Sequence, residues 1–268
     1  MQVVLNIISV ENEIGLDGGE MTMLIVKKFG GTSVADKERI FNVARRCLED
    51  YNKGNDVVVV LSAMGKHTDE LIAQAKIINP NPSQREMDML LSIGEQMSVA
   101  FMAMAFEAMD VPAVSLNAFQ AKIHTTNEYG NAKITGIETD RIREELAQRK
   151  IVIVTGFQGI AENNDITTLG RGGSDTTAVA LAAALNADAC EIFTDVDGVY
   201  TADPRKVPTA RKLAEISYDD MLYMALNGAE VLHSRCVEIA KKFNIPLVVR
   251  SSMNRTEGTV VRDREAVA

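Results

Sequence analysis

Short apolar, β-branched runs alternate along this chain with longer segments whose apolar positions recur at helical spacing. Leu24-Ile25-Val26 reads as a short buried strand, and residues 56–61, 111–116, 150–155, 189–194 and 245–250 are strand-like. Between them, residues 35–51 place Ile40, Val43, Ala44, Cys47, Leu48 and Tyr51 on one helical face. Residues 85–109 form a long helix rich in methionine and alanine, and its methionine stripe predicts core packing. A further, alanine-rich helix spans 176–185. Such alternation predicts an α/β fold with a mostly parallel sheet covered by helices on both faces. In that architecture ligand groups gather at the carboxyl ends of strands, and Ser62, Gly156 and Thr194 fall at or just after such ends. Two polar stretches interrupt the pattern. Residues 119–140 read as a long loop or small hairpin beside the substrate, and 162–168 as a second hairpin. At the N-terminus residues 3–10 make a plausible extra strand, followed by a linker at 15–20.

With 268 residues and 46% hydrophobic content the chain has enough apolar material for one large core, although two small domains remain open. A formal net charge of -9 argues against a nucleic-acid or anionic-membrane surface, so any phosphate site must be local. Cys47, Cys190 and Cys236 are odd in number and widely spaced, which predicts reduced thiols rather than disulfides. Acidic residues Glu11, Glu13, Asp17 and Glu20 follow the apolar start without a basic leader, so the expectation is a cytoplasmic protein.

Candidate chemistry concentrates in a few short blocks. Lys28-Phe29-Gly30-Gly31-Thr32-Ser33 sits at a strand-to-helix junction. The glycine pair lets backbone approach a ligand, the helix start offers N–H groups, and Lys28 adds a point charge suited to phosphate. A tight turn with a surface lysine is the competing reading. Gly170-Arg171-Gly172-Gly173-Ser174-Asp175 precedes the alanine-rich helix, where Ser174 or Asp175 could serve as an ordinary cap. Arg171, held between glycines, has no helical reason to be there, and its planar fork suits a carboxylate. Glu95 lies mid-helix, where a solvent-facing glutamate is the usual explanation. Residues 194–205 form a turn-rich loop whose aspartates lack the remaining ligands of a calcium loop. His67, His124 and His233 are isolated from one another, and no metal site is expected. Neither a Gly-x-x-x-x-Gly-Lys-Ser/Thr loop nor a His-Arg-Asp catalytic loop is present.

Taken in order, these blocks resemble aspartokinases, the aspartate-phosphorylating branch of the amino acid kinase family. The resemblance rests on 28–33, Leu61-Ser62-Ala63-Met64-Gly65, Ile93-Gly94-Glu95-Gln96-Met97-Ser98, Thr155-Gly156-Phe157-Gln158-Gly159, 169–175, 194–205 and Val249-Arg250-Ser251-Ser252. It implies a three-layer αβα sandwich around a mostly parallel open sheet, with a catalytic domain over 21–261, an N-terminal extension over 1–20 and a tail over 262–268. It further implies phosphorylation of L-aspartate by ATP with Mg²⁺. In that scheme Lys28 and Asp175 serve the transferring phosphoryl group, and Arg171, with Ser174 assisting, holds the α-carboxylate. Glu95 meets the α-ammonium, and Ser62 and Thr68 add polar groups to the substrate and phosphate region. The nucleotide falls to Lys28, Gly30, Gly31, Thr194, Asp195, Tyr200, Arg205 and Glu230.

Two departures stand out. Aspartokinases usually continue into ACT-type regulatory modules, and none is expected between Val261 and residue 268. Glu230 stands where the family commonly has a lysine that contacts ATP phosphate. A catalytically weak or inactive homologue acting as a binding or partner subunit is therefore the alternative expectation. A homodimer and a separate regulatory chain are the partner arrangements left open.

Overall fold

A computed structural model describes residues 22–229 and 231–263. The sequence expectations for residues 1–20 and for Glu230 lie outside these described residues. The first half contains β1 (Leu24–Phe29), α1 (Lys37–Tyr51), β2 (Asp56–Leu61), α2 (His67–Ile78), α3 (Gln84–Glu107), β3 (Ala113–Leu116), β4 (Ile123–Thr125) and β5 (Ile134–Ile137). There follow α4 (Asp140–Ala147), β6 (Ile151–Thr155), β7 (Gln158–Ile160), β8 (Ile166–Thr168), α5 (Gly173–Leu185) and β9 (Ala189–Thr194). The remainder comprises β10 (Glu215–Ile216), α6 (Tyr218–Leu226), α7 (Ser234–Phe243), β11 (Leu247–Ser251) and β12 (Thr259–Val261).

Eight strands form the main sheet in the order β10-β12-β11-β9-β1-β2-β6-β3. All neighbours run parallel except β11 and β12. Strand alternation divides the core into two layers. On β2, Val58 and Val60 face a cluster with Val179 and Leu181 of α5 and Val237 and Ala240 of α7. Val57, Val59 and Leu61 face the other way, onto Val43 and Cys47 of α1 and Val99, Met102 and Phe106 of α3. Helices therefore cover both faces, and this α/β, three-layer αβα sandwich around a mostly parallel open sheet matches the expected fold class. Each fully buried valine or leucine contributes on the order of 1.5–3 kcal/mol of transfer free energy.

The polar stretches resolve into a second sheet of order β5-β4-β7-β8. Within it β4 and β5 form an antiparallel hairpin, as do β7 and β8, so the small-hairpin reading of 119–140 holds. Helices α4, α6 and α7 went unassigned in the sequence. The strand read at 111–116 starts two residues later, and the helix read from 35 starts at Lys37, because the Asp36 side chain accepts from Arg39 N at 2.9 Å and caps it. The methionine stripe needs correction. Met102 is buried, but Met89, Met97 and Met104 lie exposed with Ile93 and Phe101 on the far side of α3. The helix is apolar on two faces and packs with one, so its composition did not discriminate them.

Candidate functional site

Successive side chains of β1 point to opposite faces, which separates the two adjacent lysines. Lys27 is buried on the α1 side, paired with Asp50 at 2.6 Å and with Glu191, which in turn meets Arg250 at 2.7 Å. Lys28 faces α5, and its Nζ lies 2.7 Å from Asp175 Oδ1. Beyond Phe29 the chain turns through Gly30 into a single 3₁₀ turn, Gly31–Val34. A Cβ on Gly31 would stand 2.4 Å from the Ala63 carbonyl oxygen, and one on Gly94 would stand 2.7 Å from Ala63 Cβ. Both glycines are thus required by close approach to the loop after β2. The turn after β1, that loop and α3 converge there, and Gly65 N donates to Gly31 O at 3.0 Å.

Convergence buries Glu95. The residue is 3% exposed; its Oε1 accepts from Ala63 N at 3.1 Å, while Oε2 has no hydrogen-bond partner among the described residues. Burial pushes the carboxyl up to about 8, against the smaller opposing pull of backbone donors. The solvent-facing reading of Glu95 fails. Helix α5 is capped at its N-terminus by Gly172 in left-handed conformation, with no side-chain cap. Ser174 and Asp175 accordingly occupy the first turn without capping it, Asp175 being paired with Lys28, and the capping alternative fails for both.

A cleft of about 370 Å³ opens between these elements. Lys28, Gly31, Ser62 and Thr68 line it from the β1 and β2 side, and Glu95 from α3. Arg171, Ser174 and Asp175 close it from the α5 side. Both residues expected to be catalytic and all five expected to bind substrate therefore meet in one place. Positive charge at Lys28 and Arg171, a helix N-terminus and one unpartnered carboxylate oxygen suit a ligand that is anionic and also carries an ammonium group.

The expected nucleotide residues behave differently. Gly30 precedes the lining residue Gly31, and Thr194 ends β9 beside β1, with Ser252 N donating to its carbonyl at 2.9 Å. Asp195 and Arg205 are exposed on the segment after β9. Asp195 accepts from Thr194 Oγ1 at 3.0 Å, Tyr200 Oη donates to Asp197 at 2.9 Å, and Arg205 pairs with Asp203 at 3.1 Å. None of Thr194, Asp195, Tyr200 and Arg205 lines the cleft.

Three contributors went unread in the sequence. Phe157 lines the cleft with φ of 71°, a left-handed backbone uncommon for an aromatic residue. Asp88 is buried on α3 and accepts from Gly130 N, Thr168 N and Thr168 Oγ1, each at 2.8 Å. Arg235 donates to the carbonyl of Leu169 at 2.9 Å and to Asn131 Oδ1 at 2.8 Å. The one signal for Asp88 was its spacing: seven residues before Glu95 is two turns, hence the same helix face.

Residues 23–251 match the amino acid kinase family. The chain belongs to that family. An aspartokinase of Geobacillus stearothermophilus is 60% identical over 240 residues, covering 90% of this chain and 59% of its own length. The aspartate kinase of Synechocystis superposes with a TM-score of 0.80 at 53% identity, covering 90% of this chain and 40% of that one. Aspartokinase III of E. coli, solved in complex with aspartate and ADP, gives a TM-score of 0.79 at 32% identity, covering 91% of this chain and 65% of that one. The chain spans about three fifths of the length of the curated relatives it matches.

Proposed function

We propose that the protein transfers the γ-phosphoryl group of ATP to the β-carboxylate of L-aspartate, forming 4-phospho-L-aspartate, the first step toward lysine, threonine and methionine. The observation that carries this reading is Glu95 Oε2, a buried carboxylate oxygen without a partner on the wall of a cleft that Arg171 also lines. An isolated buried carboxylate is costly, and an α-ammonium would relieve it while the Arg171 fork takes the α-carboxylate. Aspartokinase relatives at 60% identity, and a solved relative holding aspartate and ADP, support the same substrates.

The chemistry fits the inventory. A side-chain carboxylate is already ionised near neutrality, since its unperturbed pKa is about 4. No general base is needed. The task is to bring two anions into line, so catalysis rests on positioning and on positive charge at the transferring group. Lys28 supplies that charge, and the Asp175 pair fixes where its ammonium sits. Backbone N–H groups of the Gly30-Gly31 turn and of the first turn of α5 add dipoles of the same sign. Ser62, Thr68 and Ser174 offer hydroxyls to the substrate. Mg²⁺ accompanies the ATP phosphates as part of that substrate. Among the described residues no three His, Cys, Asp or Glu side chains gather into a metal site. Thr194, Asp195, Tyr200 and Arg205 complete the nucleotide side beyond the glycine turn. On this reading catalysis belongs to residues 21–261, in keeping with the matched span of 23–251, and the enzyme works in the cytoplasm.

Trapping the acyl phosphate as a hydroxamate, with ATP, Mg²⁺ and a panel of acidic amino acids, tests the proposal. L-Aspartate should give product and L-glutamate little. Absence of aspartate-dependent hydroxamate would sink the reading.

A further inference from the structure

We infer that Asp88 is a positioning residue that sets the separation between the ammonium-binding and carboxylate-binding walls of the cleft. The inference rests on the aspartate-site reading of Glu95 and Arg171. Asp88 and Glu95 share one face of α3, about 10.5 Å apart along the axis at 1.5 Å per residue. Glu95 addresses the cleft. Asp88 instead grips the opposite wall: both of its oxygens accept from Thr168, the last residue of β8, and one also accepts from Gly130 N. Thr168 lies three residues before Arg171.

The grip extends along the loop that carries the arginine. Ala132 N donates to Thr168 O at 2.9 Å, and Leu169 N donates to Phe157 O at 2.8 Å. From the other side Arg235 holds the Leu169 carbonyl and the Asn131 side chain. Asp88 is 1% exposed, and its three donors come from two separate segments, the end of β8 and the connection between β4 and β5. A carboxylate that satisfied fixes its neighbours in register, because losing one bond strands a buried charge. Helix α3 thus holds one charge of the substrate directly through Glu95 and the other at a set distance through Asp88. Recognition of an α-amino acid depends on both ends being met together, so this register tells aspartate from a dicarboxylate lacking the amino group.

Calorimetric titration of L-aspartate, succinate and ADP separates the outcomes. The parent should bind L-aspartate at least ~10-fold more tightly than succinate. In Asp88→Asn that ratio should fall by at least ~5-fold while ADP affinity stays within about twofold. Thr168→Val, which removes one donor and leaves the charge in place, should move the ratio the same way by a smaller factor. It also serves if Asp88→Asn does not fold. A parent without preference for aspartate over succinate would overturn the ammonium reading of Glu95, and the Asp88 inference with it. A parent with that preference, undiminished in whichever variants fold, would overturn the Asp88 inference alone. Loss of ADP affinity in parallel would do the same, because it marks general disruption.

Discussion

Lys28, Glu95, Ser174 and Asp175 are buried or half-buried on a strand and two helices, whereas Asp195 and Arg205 stand exposed on the segment after β9. Their contacts differ in kind. In the cleft, Glu95 meets a backbone N–H 32 residues away, and behind it on the same helix Asp88 meets one 80 residues away. In the loop, Tyr200 bonds to a residue three positions off and Arg205 to one two positions off. The segment is nonetheless tied across the fold at several points, through Val199 N to Thr259 Oγ1 at 2.8 Å and Lys212 Nζ to Glu257 O at 2.7 Å. Long-range contacts are inherited from the folded core and cost nothing further at binding. Local contacts leave a segment free to rearrange. On the proposed reading, Lys28, Glu95 and Asp175 are set by the folded core before substrate arrives, whereas Arg171 and the nucleotide residues Asp195 and Arg205 stand exposed.

The largest effect should come from the wall where the two sides meet. On the proposed mechanism Lys28→Met removes the charge aimed at the transferring phosphoryl group, and loss of one such donor typically lowers turnover by ~10²–10³. Aspartate affinity should stay within about threefold, since the lysine serves the phosphoryl group. Steady-state kinetics paired with aspartate calorimetry reads both, and a variant that turns over normally would remove Lys28 from the mechanism.

Arg171→Lys should act on the other variable. An ammonium cannot reproduce the bidentate fork, and a charge-assisted hydrogen bond contributes about 1.5–3 kcal/mol, so aspartate binding should weaken by roughly tenfold or more. The KM for ATP should barely move. If aspartate affinity is unchanged, the arginine has been given the wrong partner.

How much of this was legible in the sequence follows the same division. Parallel strands such as 56–61 and 189–194 were read to the residue, because both faces are buried and the apolar run is continuous. Glycines around Lys28 and Arg171 marked both as candidate anion-binding groups, whereas Ser174 and Asp175 read equally well as caps and took their roles from the resemblance. Glu95 needed the resemblance, since nothing in its own spacing distinguishes a buried carboxylate from a solvated one. The spacing of Asp88 marks its helix face but not its role, because that role lies in donors 42 and 80 residues away, and a single chain read locally does not bring them together. Met89, Met97 and Met104 misled because composition does not say which face of a long apolar helix packs. On the loop, sequence marked the residues but not their distance from the cleft.

The pH dependence of aspartate binding sharpens the claim that Glu95 is set by the folded core before substrate arrives. The Glu95 carboxyl in the free protein is raised by burial to about 8, so below that pH it holds a proton that an incoming ammonium displaces. Aspartate affinity should therefore rise with pH, by at most about tenfold per unit, and level off near pH 8. Stability of the free protein should run the other way. A folded carboxyl pKa above its unfolded value means that ionisation opposes folding as pH climbs toward 8. Glu95→Gln should flatten both profiles while weakening aspartate binding, as calorimetry and thermal melts from pH 6 to 8.5 would show. A parent whose aspartate affinity is constant across that range would mean the carboxyl is already ionised and wet.

The smallest effect should be found at the tip of the loop, and it decides whether the contrast between the two regions survives nucleotide binding. The Arg205 side chain is 86% exposed and pairs with Asp203 two residues away. Exposed pairs of this kind contribute about 0.2–1 kcal/mol, because water screens them and holding two long side chains together costs entropy. If Arg205 meets the phosphates in a similarly wet setting, Arg205→Ala should raise the KM for ATP by no more than about fivefold, with the KM for aspartate unchanged. Tyr200→Phe, losing only its bond to Asp197, should do less. Steady-state titration of ATP at saturating aspartate and fixed Mg²⁺ gives both numbers. A loss in Arg205→Ala as large as that in Lys28→Met would show that the loop closes over the nucleotide and desolvates its arginine, so that both halves of the site work from buried charge and differ only in when that burial is achieved.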